Sequence, residues 1–129
     1  MLKIFVLIFV MHIVAGFFLQ TKKISKLKRE KKRYLFMHVG IYTLFFAVFS
    51  PILFEISVVQ GIAFSLLNGI LHLAVDYVTG KYKVKFSDEH GTNYKLIVVT
   101  DYSLHLSMLF GSYWLLFHTT LVNWPVWAL

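Results

Sequence analysis

The 129-residue chain contains no cysteine, which removes disulfides, thiol nucleophiles and thiolate metal sites from consideration. It is also short of charge: 15% of its residues are charged, and only six of them are acidic. No nucleophilic-serine motif, glycine-rich phosphate loop or dinucleotide fingerprint occurs. There is no internal repeat and no low-complexity segment. What fills the chain instead is apolar. Hydrophobic residues make up 58%, phenylalanine alone occurs 13 times, and the mean hydropathy is +0.70. A soluble domain of this length cannot hide so much apolar surface, so the excess points to lipid as the solvent.

Long apolar runs divide the chain into four segments, at about residues 2–20, 34–54, 56–78 and 96–121. Each is close to the ~20 residues that carry a helix across ~30 Å of hydrocarbon. Only segments that satisfy their own backbone groups can do this, so the expected fold is all-α, a four-helix transmembrane bundle forming a single integral membrane domain over residues 1–129. Pro51 falls near the end of the second run, where it can close a helix without breaking its middle. The short connection after it predicts an antiparallel hairpin.

The thirteen bases are clustered. "TKKISKLKREKKR" carries Lys22, Lys23, Lys26, Lys28, Arg29, Lys31, Lys32 and Arg33 against one acid, Glu30. A second loop adds Lys81, Lys83, Lys85 and Lys95, whereas the connection from Pro51 to Ile56 has no base. The positive-inside rule places both basic loops in the cytoplasm and both termini on the outer side of the inner (plasma) membrane. Trp124 and Trp127 then belong to the outer interface. A cleaved signal peptide is disfavoured by the eight bases that follow the first run. A nucleic-acid patch is disfavoured by the lack of interleaved aromatics, so no nucleic acid is expected as a partner. The basic loops set topology and attract anionic lipid headgroups of the bilayer. The alternation in "KYKVKF" is compatible with a short strand or an interfacial ribbon.

Polar residues interrupt the oil at regular intervals. Asn68, His72 and Asp76 lie at i, i+4 and i+8, one stripe on one helix face. The fourth segment has Asp101 and His105, the first has His12 and Gln20, and the second has His38. With the expected topology His12, His38, His72, Asp76, Asp101 and His105 fall in the cytoplasmic half of the membrane. Charged groups there cost several kcal/mol unless they face one another. Hydrogen-bonded glue between helices is one reading, although such contacts average well under ~1 kcal/mol. The other is a metal centre, with His12, His72 and His105 leaving an open position on Zn²⁺. Asp76 and Asp101 then act as further ligands, as acceptors that orient the imidazoles, or as the catalytic carboxylates. His38, Gln20 and Asn68 stand as supporting residues. The mixed donor set also suits Mn²⁺ or Fe²⁺.

"HIVAGFFLQTKK", "HVGIYTL", "HLAVDYVTGK" and "DYSLH" together resemble a family of small bacterial and phage membrane proteins known as a domain of unknown function. Its pattern is matched at His12, Phe17, Leu19, Gln20, His38, His72, Asp76, Asp101 and His105. Gly16 stands where the pattern has an aspartate, and Tyr102 where it has a glutamine. The resemblance implies a site without naming a reaction. Two functions are therefore compatible with the sequence. One is a metal-dependent hydrolase embedded in the membrane. The other is a non-enzymatic oligomer, channel-like, regulatory, or responsive to ions or pH.

Overall fold

The computed structural model describes residues 2–88, 90–118 and 124–129. The described residues are helical, with no strand among them. Helix α1 (Leu2–Ile13) runs on without a break into a π-helical turn, Val14–Phe18. A short helix, α2 (Lys22–Leu27), follows, and then three long ones: α3 (Lys32–Phe54), α4 (Val58–Lys85) and α5 (Thr92–His118). A 3-10 turn, Val126–Ala128, closes the chain. The last residues of the fourth expected segment, 119–121, lie outside the described residues.

Helices α3 and α4, of 23 and 28 residues, are long and apolar enough to cross a membrane. At 1.5 Å per residue they measure roughly 35 and 42 Å. The apolar stretch Leu2–Phe18 is shorter, and α5 is long enough but does not reach the same apolarity. The run "KYKVK" is no strand: α4 continues through it to Lys85. Nor is the first basic segment a bare loop. Thr21 caps α2, its Oγ1 accepting the Ile24 N–H at 3.2 Å, and this gives an acceptor to one of the N–H donors a helix start leaves unpaired.

Pro51 sits in the last turn of α3, and the chain reverses immediately after Phe54. Glu55 adopts a left-handed conformation (φ 57°), while the Ile56 N–H returns to the Pro51 carbonyl at 3.2 Å. Ser57 and Gln60 then form a reciprocal capping box that starts α4. The hairpin is tight because glycine lines it. A Cβ on Gly61 would collide with the Pro51 ring, and one on Gly69 with the Thr43 side chain. Gly111 has no such neighbour and faces open space.

The two basic segments meet at one end of the molecule, where Arg29 Nη1 donates to the Tyr94 hydroxyl at 2.8 Å. At the opposite end Lys3 pairs with Glu55 at 3.1 Å, and Ser57 Oγ donates to the Ala128 carbonyl. Both termini therefore lie away from the basic end. The interior between the two ends is split. Towards the termini it is apolar, built on Ile8, Phe46, Phe54, Phe64, Leu109 and Tyr113 with edge-to-face ring contacts such as Phe54–Tyr113 at 5.4 Å. Towards the basic end it is polar. The outer surface shows the reverse bias: Leu44, Ile52 and Ile70 are each about two-thirds exposed, at 67%, 68% and 68%, while His38 is 1% exposed and Asp76 6%.

Candidate metal centre

Helix periodicity brings the polar residues together. On α4 the four-residue spacing turns Asn68, His72 and Asp76 towards the interior, with Thr79 and Lys83 continuing the same stripe. Helix α5 presents Asp101 and His105 from the opposite side, α3 presents His38, and α1 presents His12. All four histidines and both aspartates are buried and line one cavity of about 80 Å³, which also takes in Gly16, Gln20, Lys28 and Lys83.

Asp76 is the hub. Its Oδ2 lies 3.3 Å from His38 Nε2 and 3.4 Å from His72 Nε2, and the two imidazole nitrogens are 3.0 Å apart. Its Oδ1 faces His105 Nε2 at 3.7 Å. Two sets of three side chains therefore offer ligand atoms within 4.8 Å of one another: His38, His72 and Asp76, and Asp76, Asp101 and His105. The rings are held by their neighbours. Tyr42 stacks on His72 with centroids 4.0 Å apart, and His72 lies 4.2 Å from His105. His105 Nδ1 is 2.7 Å from the Asp101 carbonyl, an acceptor only, so Nδ1 carries the proton. In the neutral ring Nε2 is then left with its lone pair, the arrangement that orients a metal-binding histidine.

Lysine supplies the counter-charge. Lys28, just past α2, places Nζ 2.8 Å from Asp76 Oδ2, and Lys83 places Nζ 2.7 Å from Asp101 Oδ2. Thr79 Oγ1 lies 2.6 Å from Asp101 Oδ1 and 2.8 Å from the Val75 carbonyl. Buried ion pairs of this kind contribute little net stability, but removing one partner costs about 3–5 kcal/mol. Three imidazole nitrogens stay buried without a hydrogen bond among the described residues: His12 Nδ1, His72 Nδ1 and His105 Nε2. Each unsatisfied group of this sort costs about 1–3 kcal/mol. All three belong to residues that line this one cavity.

The residues singled out from the sequence distribute as follows. His12, His72, His105, Asp76 and Asp101 converge, although His12 belongs to neither three-residue set, its ring centroid lying 5.4 Å from that of His105. His38, expected in support, stands in the tightest set. Gln20 lines the cavity with Nε2 donating to the Gly16 carbonyl. Asn68 stands apart, paired with Ser112 at 2.9 Å across the α4–α5 contact. Lys28, Lys83 and Thr79 were not anticipated. Lys83 was findable, seven residues beyond Asp76 on the same helix face. Lys28 carries no signal to separate it from the seven bases around it.

Fold and site together define an all-helical protein with a buried histidine–carboxylate cluster at its basic end. The sequence profile of a family described as a protein of unknown function (DUF3307) matches residues 4–128, nearly the whole chain, and the chain belongs to that family. Comparison with curated proteins gives no match, and neither does comparison with solved structures.

Proposed function

We propose that the chain is an integral membrane protein whose four long helical segments cross the inner membrane, and that it holds a divalent metal ion, Zn²⁺ by its donor chemistry, to hydrolyse a substrate at the cytoplasmic face. The observation that carries the metal is the triangle of His38 Nε2, His72 Nε2 and Asp76 Oδ2, with sides of 3.0, 3.3 and 3.4 Å. Tetrahedral Zn²⁺ with bonds of ~2.0–2.1 Å separates its donors by roughly 3.3–3.4 Å; the two sides to Asp76 Oδ2 match that spacing, and the 3.0 Å between the imidazole nitrogens, a hydrogen-bond distance, would have to open by a few tenths of an ångström. The cavity of about 80 Å³ that these residues line has room for a water molecule beside the ion they would hold.

When bound, the ion supplies a Lewis acid and an activated water. The chain supplies the rest. Asp76 would supply the oxygen ligand, and His12 and His105, which line the same cavity, are the imidazoles placed to move protons. Lys28 and Lys83 give the entrance a positive field. The membrane reading is supported by the inverted polarity, exposed leucine and isoleucine around buried aspartate and histidine. Placing the basic end in the cytoplasm follows the positive-inside bias and puts Lys22–Arg33 against anionic headgroups.

The test is the metal content of protein purified without chelators, measured beside His72→Ala. Near-stoichiometric zinc is expected in the native chain, with a loss of more than tenfold in the variant. A native chain that neither retains nor takes up divalent metal overturns the proposal. Ester or phosphoester hydrolysis that is abolished by chelation and restored by Zn²⁺ is the expected sign of catalysis.

A further inference from the structure

The second set of ligand atoms leads beyond a single ion. We infer that the centre holds two divalent ions bridged by the Asp76 carboxylate, an inference that rests on the metal-site reading above and extends it. The two carboxylate oxygens of Asp76 serve different neighbours: Oδ2 faces His38 and His72, whereas Oδ1 faces His105 Nε2 at 3.7 Å. That distance exceeds a hydrogen bond. With Nδ1 committed as donor to the Asp101 carbonyl, a neutral His105 turns a lone pair towards a carboxylate oxygen. Two electron-rich atoms buried face to face repel unless a positive charge lies between them. His105 Nε2 is buried and has no hydrogen-bond partner among the described residues, and Asp101 completes the second set. The first triangle makes no use of any of these atoms except through Asp76.

A carboxylate giving one oxygen to each of two ions holds them ~3.5–4 Å apart, the spacing of two-metal hydrolytic sites. His12 Nδ1, also buried and without a partner among the described residues, stands on a ring whose centroid is 5.4 Å from that of His105 and provides a further nitrogen. The Asp101 carboxylate is fixed in orientation by Thr79 at Oδ1 and Lys83 at Oδ2, both from α4.

The experiment uses the full chain in detergent, stripped and titrated with Mn²⁺ alone, with ions counted by elemental analysis and their coupling read by electron paramagnetic resonance. Two Mn²⁺ per chain with an exchange-coupled spectrum are expected. His105→Gln and His38→Gln are each expected to retain one ion with an uncoupled six-line signal, circular dichroism confirming that helix content is kept. One ion in the native chain, unchanged in His105→Gln, overturns the second ion and leaves the single-ion reading standing. Two ions without coupling overturn the bridge. No bound ion overturns both readings, and because the count is made on the native chain it does not depend on how the variants fold.

Discussion

Asp76 shows how much one carboxylate can organise: an ammonium from beyond α2 and imidazoles from α3, α4 and α5 all approach it within 3.7 Å. Lys28 and the proposed metal ion would compete for the same oxygen, because Nζ sits 2.8 Å from the Oδ2 of the His38–His72–Asp76 triangle. Replacing the ammonium by an isosteric apolar group removes a like charge from beside the ion. Lys28→Met is therefore expected to tighten metal binding by about tenfold, or ~1.4 kcal/mol, in a competition titration with a chromophoric chelator. Weaker binding in that variant would mean that Lys28 supports the ion instead of displacing it. The stripe on α4 was readable from spacing alone, since Asn68, His72 and Asp76 repeat every four residues. The place of His38 in the tightest set was not. It depends on the register between α3 and α4, which is set by the Pro51–Gly61 and Thr43–Gly69 contacts, and no single helix encodes those.

At the scale of elements the α3–α4 hairpin sets the geometry of the first triangle, one imidazole coming from α3 and the remaining two ligands from α4. Gly61→Ala drives a methyl into a rigid proline ring, which cannot rotate away. It is expected to lower stability by about 1–3 kcal/mol, read as an earlier thermal transition in detergent. Gly111→Ala, where an added Cβ meets nothing within 4 Å, is the matched control and is expected to change it by less than about 0.5 kcal/mol. Equal effects at the two positions would show that helix packing at Gly61 does not matter. The helices themselves were legible from their apolar runs, to within a few residues at most ends. The exception is the end of α4: "KYKVK" alternates like a strand, yet it stays helical to Lys85, and Lys83 there finds a carboxylate on α5. A local pattern of period two gives way where continuing the helix brings a buried partner within reach.

The molecule as a whole is polar at one buried end and apolar over much of its outside, which composition foreshadowed and burial makes explicit. Membrane sidedness rests on the distribution of bases, and the absence of cysteine makes it simple to check. Single thiols placed at exposed Lys26 and exposed Val58 report opposite ends without background. In intact cells a membrane-impermeant maleimide is expected to label Val58→Cys, and to label Lys26→Cys only after permeabilisation. The reverse pattern would invert the proposed orientation, and labelling of both in intact cells would remove it. What the sequence left illegible at this scale was how the far-apart segments close on one another. That depends on contacts such as Arg29 with Tyr94, 65 residues apart, which no periodicity announces.

One consequence concerns the order in which the molecule matures. The His105 ring is aimed by a carbonyl of its own helix, four residues back, so its orientation is fixed as soon as α5 has coiled. His38 Nε2 and His72 Nε2, 3.0 Å apart, meet only when α3 and α4 have come together. Donors on the last long helix to leave the ribosome thus wait ready-aimed for partners made earlier. Capture of the proposed ion would then follow the closing of the helices, and nascent chains halted before α5 would lack Asp101 and His105.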